Sequence, residues 1–113
     1  MVRKDKMEVR HEMRGGNGDV YIYNILDKEE LSGHGRLYAK IVLPPGSSIG
    51  VHEHVGETEP FYVIEGEGLF VEPDGTETPV RAGDCCLIEP GQSHGMINNT
   101  DKEMAFMALI YNK

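Results

Sequence analysis

No tryptophan occurs in the chain, and cysteine occurs only twice, at the adjacent positions Cys85 and Cys86. Neighbouring residues of a strand point to opposite faces, so a bond between these two thiols would need a distorted backbone. They read as reduced thiols packed in a core, with a vicinal disulfide or a redox role as the alternatives. Cations are also in short supply: 11 Lys and Arg stand against 19 Asp and Glu, for a formal charge of −8. Phosphate backbones are bound by clustered cations, so nucleic acid is not an expected partner, and neither is an anionic membrane surface. Long apolar runs are missing as well. The longest, Met104 to Tyr111, is too short to span a bilayer. The charged opening MVRKDKMEVRHEMRGG lacks the apolar core of a secretory signal. Together these absences make a soluble, cytoplasmic protein the expectation.

Helical periodicity is the next absence. No segment sustains the 3.6-residue repeat of an amphipathic helix. What is present instead is a series of short β-branched and aromatic runs between Gly- and Pro-rich turns. Val20 to Leu26 reads as a strand, and Asp27 to Glu30 as one helical turn. In Arg36 to Leu43, Leu37, Ala39, Ile41 and Leu43 alternate with Arg36, Tyr38 and Lys40, the pattern of a half-buried strand that Pro44-Pro45-Gly46 ends. Gly68 to Val71 and Thr78 to Arg81 flank Pro73-Asp74-Gly75, a turn in which proline presets the entry and glycine takes the positive φ. Cys85 to Ile88, Ser93 to Asn98 and Met104 to Tyr111 complete the strands. Residues 1–18 read as an N-terminal arm or edge strand, closed by the Gly15-Gly16-Asn17-Gly18 turn. A chain of 113 residues is expected to form one domain, 1–113. An all-β sandwich or barrel follows, with Ile49, Phe61, Val63, Leu69 and Ile88 as candidate interior residues.

The chemistry-bearing residues concentrate in two stretches, GSSIGVHEHVGETEPFYVIEG and GDCCLIEPGQSHGMIN. His52 and His54 are two apart, so on a strand both rings leave one face, about 7 Å apart at the backbone. Glu59 follows a short loop, with Glu57 inside that loop as a rival carboxylate. His94 comes from far along the chain and needs a folded-over sheet to reach the others. Such donors suit manganese, iron, cobalt, nickel or zinc (Mn, Fe, Co, Ni or Zn) rather than copper(I). Tyr38, Phe61, Gln92 and Met96 are candidate pocket residues, whereas His11 and His34 read as solvated.

The first stretch has Gly46, five residues, His52-x-His54, four residues, Glu59, six residues and Gly66. It resembles the first motif of the cupin superfamily, and Gly83 through Gly91, His94 and Asn98 resemble the second. Glu89 stands where the second motif usually carries proline, with Pro90 beside it. The resemblance implies a cupin jelly-roll barrel, a double-stranded β-helix, with His52, His54, Glu59 and His94 as ligands of a divalent transition metal. On an octahedral ion this set leaves two positions open.

Two readings of function follow. In the first, the chain is a metal-dependent enzyme acting on a small polar or anionic metabolite, a carboxylate or sugar-like molecule. The resemblance points to the dioxygenase, oxalate-type decarboxylase and isomerase classes. Glu53, Glu57 and Glu89 are then available acids, none with an assigned role. In the second, the cavity is a non-catalytic module that captures a small molecule or the metal alone. The Met104–Tyr111 run is apolar on both of its faces, which predicts cover on both sides and a homodimer.

Overall fold

The computed structural model describes residues 1–113, in eleven strands and one short 3-10 turn. The strands are β1 (Lys6–His11), β2 (Asp19–Leu26), β3 (Gly35–Leu43), β4 (Ser48–Glu53), β5 (Glu57–Thr58) and β6 (Phe61–Glu65), followed by β7 (Glu67–Val71), β8 (Glu77–Arg81), β9 (Cys85–Cys86), β10 (Ser93–Ile97) and β11 (Met104–Asn112). Seven of them form one sheet in the order β1-β2-β3-β11-β6-β9, with β5 also paired to β11. The other four form a second sheet, β4-β10-β7-β8. Every pairing is antiparallel. No helix is long and apolar enough to cross a membrane.

The facing sides of the two sheets enclose the core. Ala39, Ile41 and Leu43 of β3 are buried, as the alternation of that strand predicts, and Leu37 packs at their edge. Val20 and Ile22 extend the core from β2, and Met104, Phe106 and Ala108 from β11. Ile49, Phe61, Val63 and Ile88 are interior as expected. Leu69 is not: it is half-buried while its neighbours Phe70 and Val71 are buried. Phe70, and not Leu69, is the β7 side chain that joins the core, which decides the inward parity of this strand that the sequence leaves open.

Three elements depart from the sequence reading. Residues 85–88 are not a four-residue strand, because only Cys85 and Cys86 pair, against Tyr62 and Phe61. Leu87 is then free to turn outward, and it is 68 % exposed. Met104–Tyr111 is an interior strand of its sheet, between β3 and β6, but its outer side is only partly covered, with Met107 and Leu109 half-buried. The Asp27–Glu30 segment makes a reciprocal capping pair, Glu30 N–H to Asp27 Oδ1 and Asp27 N–H to Glu30 Oε1, yet it remains a turn and not a helix.

The N-terminal region is built into the sheet. β1 pairs along its whole length with β2, from Lys6 opposite Asn24 to His11 opposite Asp19. The 3-10 turn Met13–Gly15 then lies across β4. Contact here is backbone to backbone: a Cβ on Gly50 would collide with the Arg14 carbonyl oxygen, and one on Gly16 with that of Ser48. Asn17 fastens the crossing. Its carbonyl accepts from Ser48 N–H, its N–H donates to Ser48 Oγ, and its side chain donates to Gly46 O.

Asn98 closes the opposite end of β10. Fully buried, its Nδ2 donates to the carbonyls of Leu43, Pro44 and Lys102, while its Oδ1 accepts from Thr100 N–H and Oγ1. One amide thus ties the exits of β3 and β10 to the approach to β11.

Candidate functional site

His52 and His94 sit directly opposite one another on β4 and β10, so their rings leave the same face of the second sheet. The ladder shifts register just after His94. His54 lies one residue beyond the end of β4, held by its own backbone: its N–H donates to Gln92 O, and its carbonyl accepts from Gly91 N–H. Gly91 takes a φ of 90°, and Gln92 N–H returns to Glu89 O. The tight turn therefore forms with Glu89 in the position where the resembled motif carries proline. Glu59 reaches in from the other sheet, from the link between β5 and β6, and Thr58 Oγ1 donates to Ile88 O beside it.

Each of these four residues presents one donor atom, and the donors lie within 4.8 Å of one another. Glu59 Oε1 is 3.0 Å from His54 Nε2, 3.0 Å from His94 Nε2 and 3.5 Å from His52 Nε2. His54 Nε2 and His94 Nε2 are 3.2 Å apart. Metal–ligand distances of about 2.1 Å put adjacent donors about 3.0 Å apart on an octahedral ion and about 3.4 Å apart on a tetrahedral one. The three closest separations, 3.0 to 3.2 Å, fall in that range, the His52–Glu59 distance of 3.5 Å lies just beyond it, and the mixed N/O shell suits a borderline divalent ion. The residues present fit such an ion.

The far sides of the rings fix the tautomers. His52 Nδ1 lies 2.8 Å from Gly50 O, which can only accept, so Nδ1 carries the proton and Nε2 offers its lone pair. His54 Nδ1 faces Glu57 Oε1 at 3.2 Å, with the same result. His94 is oriented by packing instead. Phe61 stacks on it at 4.6 Å with an interplanar angle of 14°, Phe70 meets it edge-on, and its Nδ1 has no hydrogen-bond partner.

The electrostatics follow from these contacts. Burial pushes the Glu59 carboxyl upward, but the His52, His54 and His94 imidazoles outweigh it and hold Glu59 well below the usual carboxylate range. Burial lowers His94, against the pull of Glu59, and so favours its neutral form. His54 is raised, chiefly by its hydrogen bond to Glu59 and further by Glu57. Glu57 is itself lowered, first by its hydrogen bonds with Arg36.

The sequence prefers Glu59 to Glu57 as the clustered carboxylate, and Glu59 is the one that the fold brings to the imidazoles. Glu57 is not in a loop. It opens β5, and it spans His54 and Arg36, whose Nε lies 3.1 Å and 3.0 Å from its two oxygens and whose Nη2 lies 2.7 Å from Oε1. The sequence signal for this was the parity of Glu57 and Glu59, two apart like His52 and His54.

Above the cluster lies a cavity of about 330 Å³, lined by His52, His54 and Glu59 on one side and by Glu8 and residues 10–14 of the N-terminal segment on the other. Arg36 and the apolar side chains of Ile22, Leu37, Ile41, Ile49 and Ile110 complete its walls. None of the candidate pocket residues Tyr38, Phe61, Gln92 and Met96 lines it, and core or surface packing accounts for each. Phe61 lies behind His94 in the core, and Met96 is fully buried. Gln92 Oε1 accepts from Glu89 N–H, and Tyr38 borders a shallow apolar groove on the outer face of the long sheet. Glu53 and Glu89 are exposed and off the cavity, whose carboxylates beside Glu59 are Glu8 and Glu12. His34 is exposed in a turn, whereas His11, also exposed and 2.5 Å from Asp19, lies on the cavity rim.

Two antiparallel sheets closed around three imidazoles and a carboxylate define a small double-stranded β-helix that carries a metal-competent cluster. Residues 39–110 match the family described as the cupin domain, and the chain belongs to the cupin family. A protein of Thermotoga maritima, named oxalate-binding protein, is 43% identical over 98 residues, which cover 87% of this chain and 80% of that protein. A crystal structure of a predicted oxalate decarboxylase from Thermotoga maritima superposes with a TM-score of 0.93 at 39% identity, covering 100% of this chain and 99% of the other. A conserved protein with a double-stranded β-helix domain from Klebsiella pneumoniae superposes at 0.73 with 25% identity, covering 88% and 83% of the two chains.

Proposed function

We propose that this cupin binds a small carboxylate of the oxalate class through a divalent transition metal held by His52, His54, Glu59 and His94. The observation that carries the reading is the convergence of these four donors on one point, with His52, His54 and Glu59 on the wall of the cavity and His94 buried behind them. The oxalate-binding relative, at 43% identity, points to the same ligand class. When bound, a divalent ion supplies positive charge and Lewis acidity to an oxygen ligand. The protein supplies the rest. Gly50 O and Glu57 set the tautomers of His52 and His54, so that both present lone pairs to one point. The aromatic pair Phe61 and Phe70 fixes the third ring, and aliphatic side chains make up part of the cavity wall.

Elemental analysis of purified protein tests the first half of this proposal. Near-stoichiometric Mn, Fe, Co, Ni or Zn is expected, with loss of most of it in the double variant H52A/H54A. Full metal content in that variant refutes the assignment. Calorimetric titration of metal-loaded protein with oxalate tests the second half, and an absence of heat at millimolar oxalate refutes it.

Turnover of the bound acid is a second reading, favoured by one observation. Glu12 lines the cavity, and its carboxylate has neither a hydrogen bond nor an ion pair within the protein, so no partner holds it away from a ligand. Release of carbon dioxide and formate from oxalate, abolished in E12Q with metal content unchanged and oxalate bound no more weakly, is the result that selects decarboxylation over binding alone.

A further inference from the structure

The cavity has three arginines on its wall, and two of them are already engaged. Arg36 is held by both oxygens of Glu57, and Arg10 is paired with Glu8 at 3.6 Å. Arg14 has no side-chain hydrogen bond and no ion pair. It also occupies an unusual backbone conformation. Its φ is 56° and that of Glu12 is 48°, the left-handed region in which a residue with a Cβ is disfavoured. The surrounding contacts impose this shape. The Arg14 carbonyl oxygen is pressed against Gly50, leaving no room for a Cβ there, and Gly16 N–H returns to Met13 O. Gly50 lies two residues before His52 on β4, and its own carbonyl accepts from His52 Nδ1. One short stretch of strand thus sets both the His52 ring and the backbone from which Arg14 projects.

We propose that Arg14 is the specificity-determining residue of the cavity, a guanidinium that receives the carboxylate of the ligand remote from the cluster. This rests on the reading of the cavity as a carboxylate site. A guanidinium that is unpaired within the protein and lines a partly apolar cavity is suited to a planar two-oxygen acceptor, which it can meet with two parallel N–H donors. A diacid engages the cluster and Arg14 together, whereas a monoacid engages only one of them. Strain that persists at a non-glycine residue on a cavity wall is the kind found where a side chain must be aimed. The chain had a strain-free alternative at this position in glycine, which takes positive φ readily. Glu12 opposes the effect: it faces the same cavity with a charge of the wrong sign for an anion.

The test compares wild type, R14Q, R14K, R14G and E12Q, all metal-loaded, by calorimetric titration with oxalate and with acetate. Metal content and melting temperature are measured in parallel. The proposal predicts that R14Q weakens oxalate about tenfold, the loss expected when a charge-assisted contact is removed, and leaves acetate and metal content unchanged. R14K should fall between the two, because a point charge replaces a fork, and E12Q should tighten oxalate. R14G is the structural control: it should melt no lower than wild type, since its φ suits glycine, while losing oxalate affinity like R14Q. Equal oxalate affinity in wild type and R14Q overturns the proposal while leaving the carboxylate reading intact. A wild type that holds metal but binds no oxalate removes the carboxylate reading and the role of Arg14 with it. A loss of metal or a fall in melting temperature in R14G and R14Q together would make Arg14 a structural residue and also overturn the proposal.

Discussion

Removal of the Glu57 side chain separates the orientation of the cluster from the stability of the fold. In E57A, His54 Nδ1 loses its acceptor at 3.2 Å, and Arg36 loses its contacts with both carboxylate oxygens. The Arg36 side chain is 43% exposed, so water takes over its donors, and the ion pair contributes no more than about 1 kcal/mol to folding. The cost to metal binding is larger. Loss of a hydrogen-bond partner behind a histidine ligand lowers metal affinity about 10- to 100-fold, or about 1.4–2.8 kcal/mol. E57Q keeps an acceptor oxygen for His54 Nδ1–H but cannot form the same pair with Arg36. It should stay close to wild type in metal affinity while losing the small stability increment. Competition with a chromophoric chelator gives the metal affinities, and urea unfolding gives the stabilities. Equal metal affinity in E57A and wild type, within about twofold, would show that Glu57 does not orient His54 and would refute the reasoning.

Asn98 and the cysteine pair give two further tests. N98A leaves three carbonyls and the Thr100 donors without the buried amide that serves them, so urea unfolding should show a loss of about 2–4 kcal/mol; a loss below about 1 kcal/mol would mean that water replaces the amide. Cys85 is exposed and Cys86 buried, and burial, reinforced by Cys85, pushes the Cys86 thiol up to about 12. Iodoacetamide at pH 8 should therefore modify one thiol of the folded protein, read by intact mass, and two after denaturation. Because the folded value lies above the ordinary 9.0, the stability from the Cys86 thiol is complete below pH 9 and is lost as pH rises toward 12. C86A should flatten the decline in urea midpoint between pH 9 and 11.5, and an unchanged slope would assign that decline to other groups.

The strands were legible wherever one face alone is buried. The alternation in β3 marks Ala39, Ile41 and Leu43 directly, and the cluster was legible because His52, His54 and Glu59 lie close in sequence between turn-forming glycines. Legibility fails where position depends on a distant partner. Leu69 and Phe70 are both large and apolar, so only the pairing of β7 with β10 decides which points inward. The pairing of Glu57 with Arg36 spans 21 positions along the chain. The opposite wall of the cavity was the least visible part. Residues 8–14 read as part of a charged arm or edge strand, and β1 is indeed the edge of its sheet, but what lays them beside His52 is the side-chain-free contact of the 3-10 turn with β4 at Gly16 and Gly50, which leaves no hydrophobic pattern to read. The acids expected near the site, Glu53 and Glu89, were chosen by nearness in sequence, whereas the fold supplies Glu8 and Glu12 instead.

The clustered donors do not all belong to one sheet. His52, His54 and His94 stand on or beside β4 and β10, while Glu59 belongs to the link between β5 and β6 in the other sheet. An ion held by all of them would act as a removable stitch across the seam of the barrel, joining segments as much as 42 residues apart, from His52 to His94. Any species bound only by the folded chain adds RT ln(1 + [L]/Kd) to its stability, about 4 kcal/mol at a thousandfold excess over Kd. On the metal assignment proposed above, heat resistance would be tied to mineral supply. The same chain should show one melting point in a chelator and another in a metal-replete medium, and the gap between them would report how tightly the seam is sewn.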